Sequence, residues 1–308
     1  MESQLLISSY STNNYFDISI IDYNNGKLSL TDKNLVQGNN PSYLKYDNGY
    51  IYSISETDEP ALFCYDLNLE NVFIKKFKGK YPCHIETFDN YIFISNYGSG
   101  DVVVFDKKKE SFIETIKLTD HSHAHSSIVI NDKLLIADLG ADCIWAIDKT
   151  AKVQIHIEGG PRQIIPYNEG FYTIEENSNT VTQFDTKFNI ANKCNTLSNN
   201  NITSFAGGAS ILTDGTLLIA NRGANTITHL SPKLTILSEF DCYGDWPRYI
   251  HVIEDDSVVL VCNQRSGELI SLDYKTGELL DRLSYPGISY CTIVSKAYIS
   301  SYSDINMR

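Results

Sequence analysis

No run of about 18 consecutive apolar residues occurs in this chain, so no membrane-spanning helix is expected. The start, Met1-Glu2-Ser3-Gln4, lacks the positive region of a secretory signal. The seven cysteines are scattered and lack Cys-x-x-Cys spacing, which argues against a zinc knuckle or dithiol redox site. Free thiols buried in a reducing cytoplasm are the expectation, and the localisation read from the sequence is cytoplasmic. Positive charge is scarce. A formal net charge of −13 opposes nucleic-acid phosphates and anionic membrane surfaces, so neither is an expected partner. No Gly-x-Ser-x-Gly segment is present, which removes a serine nucleophile of the elbow type. Helical stripes are scarce as well, which excludes helical solenoids.

What the chain does have is repetition. A hydrophobic run ends in Asp at Asp22, Asp66, Asp106, Asp148, Asp185 and Asp273, with Leu230 at the remaining place, about 40 residues apart. These Asp residues read as turn initiators after a strand. Runs such as Val102-Val103-Val104-Phe105 and Leu134-Leu135-Ile136-Ala137 are too short for helices, and their β-branched content favours strands. Several short strands per unit of that period is the pattern of a propeller.

Units start at Pro41, Pro82, His125, Pro161, Gly208 and Pro247. A seventh start at Pro286 has too little chain after it. Leu5–Ser11, Phe16–Asp22 and Lys27–Leu30 read as the missing strands. The expected fold is an all-β, seven-bladed β-propeller over 1–308, one domain. Its ring is closed by a blade combining N-terminal strands with a C-terminal inner strand, which leaves no sheet edge open. Hydrophobic residues at 42% and 20 Tyr are enough for a core between stacked sheets. The polar stretch 192–201 reads as an inter-strand loop.

Two sets of positions recur. Arg162 and Arg248 each follow a Pro just before an inner strand. Glu56, Asn96, Asp138, Glu176, Asn221-Arg222 and Asn263-Gln264 fall at the ends of second strands. Repetition brings both sets to the channel axis. Three arginines, Arg162, Arg222 and Arg248, then form a local anion site in an acidic protein, since guanidinium suits bidentate carboxylate or phosphate. Other readings stay open. The arginines could pair structurally between blades, and Glu176 could be a solvated loop carboxylate. His121, His123 and His125 alternate, which invites zinc, but no fourth ligand is evident. The carboxylate and Asn ring invites Ca²⁺, which several arginines at the same mouth oppose. No metal and no cofactor are expected.

The ordered series Pro82-Cys83-His84-Ile85, Ser95-Asn96-Tyr97-Gly98, His123-Ala124-His125-Ser126, Gly160-Pro161-Arg162, Glu176, Ala220-Asn221-Arg222-Gly223 and Trp246-Pro247-Arg248 resembles the seven-bladed β-propeller lactonases. That family includes bacterial 6-phosphogluconolactonases and fungal 3-carboxy-cis,cis-muconate cyclase. The resemblance covers essentially the whole chain. It implies a pocket at one channel mouth with His125, Glu176 and Arg222 catalytic, and with Arg162, Arg248, His84 and Glu56 binding substrate. It also implies a small anionic lactone or carboxylate as partner. The expected activity is hydrolysis of a sugar-acid lactone such as 6-phosphogluconolactone, with Glu176 or His125 as base. The alternatives are a muconate-type lactonising cyclase and a non-catalytic propeller that binds a ligand or protein at the mouth.

Overall fold

The computed structural model describes residues 2–12, 15–168, 170–199 and 201–294. Seven four-stranded antiparallel sheets stand around a central channel. Six are continuous in sequence, spanning residues 44–76, 82–117, 124–156, 161–195, 205–241 and 247–284, and are numbered here as blades one to six. Blade seven joins the two ends of the chain. Its inner strand, Ile288–Val294, pairs antiparallel with Glu2–Ser9, followed outward by Ile18–Asn24 and Lys27–Leu35. Helix is limited, among the described residues, to one 3₁₀ turn, Glu254–Asp256. No helix is long and apolar enough to cross a membrane.

Alternation along each strand sends side chains to both faces of its sheet, so each core lies between two blades. Leu6, Ile18 and Ile20 of blade seven meet Leu44, Ile51 and Phe63 of blade one. Val181 and Ile174 of blade four meet Ala206 and Leu217 of blade five. At the closing seam, Leu5 and Ile7 pack with Leu260 and Cys262 of blade six and Cys291 of the closing strand. Each such Leu or Ile, fully buried, contributes about 1.5–3 kcal/mol. All seven cysteines are free thiols, six of them buried.

The turn chemistry follows the landmark residues. Asp66, Asp106, Asp148, Asp185 and Asp273 each accept two or more backbone N–H bonds from the residues just after them. Asp22 is different: it lies inside Ile18–Asn24 and accepts a bond from Gln4 Nε2 at 3.2 Å. The strand simply runs two residues further there. The stretch 192–201 also needs correction, because Ile190–Asn195 is the outer strand of blade four. An outer strand is wet along most of its length, so its composition carries no apolar alternation to read.

Candidate active site at the channel mouth

Two local devices repeat from blade to blade and aim side chains at the axis. The first is a β-bulge near the start of the inner strand. Pro82 pairs with Asn96 and His84 with Ser95, which leaves Cys83 unpaired. The same skip leaves His125 in blade three, Arg162 in blade four and Arg248 in blade six. In the closing strand it leaves Ser289. A bulge adds a residue without a ladder partner and turns its side chain out of the sheet. Five blades thus deliver Cys83, His125, Arg162, Arg248 and Ser289 to one cavity, with Ser42 from the approach to blade one.

The second device is the residue just past the second strand. Glu56, Tyr97, Leu139, Glu176 and Gln264 each donate a backbone N–H to the carbonyl of a residue preceding the inner strand, and Tyr10 does so in blade seven. Arg222 stands at the matching place in blade five, where Asn221 pairs with Ala206. This ring corrects the sequence reading by one residue. Asn96, Asp138, Asn221 and Asn263 belong to the preceding position, fully buried between blades. There they hold structure: Asn96 bonds Asp101 at 2.8 Å, Asp138 accepts from Trp145 Nε1 at 2.9 Å, and Asn263 donates to the Cys242 carbonyl at 2.9 Å. A shift of one residue along a strand exchanges the two faces.

Glu176 sits between two arginines. Arg162 Nη1 donates to Glu176 Oε2, and Arg222 Nη2 lies 2.7 Å from the same oxygen. Burial opposes the charge on Glu176, but the two guanidiniums outweigh it and hold the carboxyl below its usual range. No hydrogen bond reaches Oε1 among the described residues. Arg222 is anchored further by the Ala206 carbonyl at 2.9 Å, and its guanidinium stands 5.6 Å from the centre of the Trp246 ring.

His125 is turned into the channel beside these charges. Burial, then Arg162, Arg248, Arg222 and His84, push its pKa well below 6.5. It is therefore a neutral imidazole at physiological pH. Cys83 is no thiolate there: burial, with Glu56 adding, pushes its thiol up to about 12. Arg248 faces the Tyr10 ring at 5.1 Å, and Tyr10 donates its hydroxyl to Glu56 Oε2 at 2.8 Å. Burial disfavours the Arg248 charge, but Tyr10 and Glu56 outweigh it and the pKa is raised.

His84 lies deeper. Its ring is 4.7 Å from that of Tyr43, which is 4.3 Å from Tyr290, which is 4.4 Å from Tyr249. His84, Tyr43 and Tyr249 line the cavity, which holds about 470 Å³ of empty space, part of it open to solvent. Burial, then Lys45, lowers His84 to about 3, so it is a neutral part of that lining.

The three alternating histidines do not share a strand face. His121 lies in a turn and His123 precedes the strand Ala124–Ile130. His123 stacks on Tyr97 at 4.5 Å and bonds its carbonyl through Nδ1 at 2.8 Å, while His125 enters the channel by its bulge. Among the described residues, no group of three or more His, Cys, Asp or Glu is placed to hold a metal ion. Sequence reasoning missed Tyr10, Tyr97 and Ser42. Tyr10 and Tyr97 could have been found by counting the second ring one residue on.

The fold and the mouth define a class: a seven-bladed propeller whose channel opens on a buried Arg–Glu–Arg cluster beside a neutral imidazole. The family model described as Lactonase, 7-bladed beta-propeller, matches residues 4–295, and the chain belongs to that family. A Formosa agariphila protein named 6-phosphogluconolactonase is 26% identical over 294 residues, covering 78% of this chain and 83% of its own. A Bacillus subtilis protein of the same name is 23% identical over 287 residues, covering 78% and 82%. In structure, the periplasmic gluconolactonase of Pseudomonas aeruginosa superposes with a TM-score of 0.83 at 18% identity, covering 96% of this chain and 99% of that one.

Proposed function

We propose that the protein hydrolyses a small sugar-acid lactone at this mouth. The observation that carries the reading is the cluster itself: a carboxylate fixed by two arginines beside an imidazole kept neutral. The family membership and the names of the two curated relatives support it.

The residues divide the work as follows. Water attacks the lactone carbonyl carbon, and His125 accepts its proton, a role open to it because it is unprotonated. The oxyanion that forms on the carbonyl oxygen meets the guanidiniums of Arg162 and Arg222, already positioned by Glu176 before substrate arrives. The ring C–O bond breaks, and His125 returns the proton to the departing ring oxygen, leaving a hydroxy acid. Glu176 Oε1, free of protein bonds, holds the attacking water while Oε2 holds the arginines. His84 belongs to the lining, and Glu56 acts through Tyr10.

Turnover of 6-phosphogluconolactone and of gluconolactone by the purified protein tests this. Hydrolysis faster than the spontaneous rate, lost on His125→Ala and on Glu176→Gln with melting unchanged, is expected. Full turnover in both variants would refute the assignment, and no turnover of either lactone would refute the activity.

A further inference from the structure

We infer that the mouth carries a separate oxyanion subsite at the seam where the two chain ends meet, built on Arg248, Tyr10 and Ser42, which binds the phosphate or carboxylate of the substrate away from its lactone ring. The inference deepens the lactonase reading and rests on it for the word substrate, but the subsite stands on its own geometry.

Three guanidiniums converge at the mouth, and they are not alike. Arg162 and Arg222 share Glu176, the protein's own anion. Arg248 forms no ion pair and no side-chain hydrogen bond among the described residues; the Tyr10 ring stands 5.1 Å from its guanidinium carbon, and the carboxylates of Glu56 and Glu176 act on it only through their fields. A ring face offsets part of a cation's desolvation but leaves its N–H donors open. At the approach to blade one, Ser42 Oγ lines the same cavity and is buried with no hydrogen-bond partner among the described residues. Buried polar groups are normally satisfied, so an orphan hydroxyl in a cavity wall is a free donor for a ligand held there. A guanidinium and a hydroxyl, both able to donate, are complementary to an oxyanion.

The position gives the subsite its second property. Tyr10 directly follows Glu2–Ser9, the strand that pairs with the closing strand, and its N–H bonds the Gly287 carbonyl at 2.9 Å. Its hydroxyl is fixed by Glu56 of the neighbouring blade at 2.8 Å. The ring under Arg248 is therefore in place only when the seam is closed. Substrate charge and ring closure are read at one point, while the scissile ester sits across the cavity at His125.

Isothermal titration of inorganic phosphate, and separately of gluconate, into the full chain tests this without any turnover. Wild type should bind at least one of the two at millimolar concentration or better. Phosphate alone would identify a phosphate ester as the natural group, and gluconate alone a carboxylate. Arg248→Met should weaken that binding by about tenfold or more, since a charge-assisted bond is lost. Arg248→Lys should keep part of it. Tyr10→Phe should retain most of it, and Tyr10→Ala should lose several-fold. Binding that is unchanged in Arg248→Met, or absent from wild type for both probes, overturns the subsite. If Arg248→Met does not fold, the Arg248→Lys and Tyr10→Ala titrations decide, and wild-type affinity in both overturns it. Loss of binding in these variants alongside failure to hydrolyse any lactone would leave the subsite standing and remove the lactonase reading.

Discussion

Glu175 and Glu176 are adjacent in sequence and occupy two different solvents. Glu175 is fully buried in blade four's strand, where its hydrogen bonds come from the hydroxyls of Thr173, Thr180 at 2.7 Å and Thr182 at 3.0 Å. Burial, which the threonine bonds and the more distant Lys193 charge only partly offset, raises its pKa to about 7. Glu176, one step on, reaches the channel, meets two guanidiniums and is held below its usual range. The interior between blades suppresses a charge, and the mouth demands one. Hydrogen bonds from neutral hydroxyls do not replace the field of a cation when water is removed. Perturbed carboxylates are therefore not interchangeable as site markers: one marks a packed interface and the other the arginine-lined channel mouth.

The comparison can be tested at decreasing scales. The largest effects belong to the mouth. Arg162→Ala and Arg222→Ala should each cost about 2–4 kcal/mol of transition-state stabilisation, roughly 30- to 1,000-fold in kcat/KM. Circular dichroism and melting should stay near wild type, because the inter-blade clusters lose nothing. If either variant unfolds instead, the cluster is structural and the contrast with Glu175 collapses.

Glu175 should act on stability and not on rate. An acid whose folded pKa is raised holds its proton longer in the native state, so its contribution is intact below the unfolded value near 4.5 and is lost as pH rises through about 7. Glu175→Gln should therefore melt higher than wild type at pH 8, by an equivalent of at most about 3 kcal/mol, and converge with it near pH 4. Denaturant titrations at the two pH values measure this. A variant that is less stable at pH 8 would show that the threonines hold an ionised carboxylate.

A smaller effect is expected on the pH profile. His125 is kept neutral by burial and by its arginine neighbours, so the acid limb of kcat/KM should lie well below 6.5. Removing one neighbouring charge with Arg248→Met should move that limb upward by about one unit or less. A limb unmoved in the variant, or lying above 6.5 in wild type, would assign the proton transfer to another group. Smallest of all, His121→Ala should change turnover less than about twofold, because that side chain is exposed in a turn outside the channel. Chelator treatment should likewise leave the rate unchanged, and loss restored by Zn²⁺ or Ca²⁺ would reopen the metal reading.

Period and alternation, both local properties, made the propeller legible in the sequence. A repeat of about 40 residues with period-two runs has few other packed solutions. The turn aspartates were legible for the same reason, since an Asp bonds backbone only two to four residues away. The candidate residues Arg162, Glu176, Arg222 and Arg248 were readable as a set because equivalent places in a ring converge, and His125 entered through the family resemblance. Their register was not. The β-bulge that exposes Arg162 adds one residue without any marker in composition, and the second ring begins one residue later than the Asn and Asp series suggests. On a strand, one residue is the difference between core and channel.

The sequence by itself thus determined the blade count, the all-β class and the types of side chain available to the mouth. Only the tertiary structure decided that Glu176 meets two arginines through one oxygen, that these two guanidiniums share one carboxylate while Arg248 has no ion pair among the described residues, and that Tyr10 joins Arg248 from the far end of the chain. The physical reason is range. Propensity and periodicity act within a few residues, whereas charge pairing and desolvation depend on which strands seven blades bring within a few ångströms of one axis.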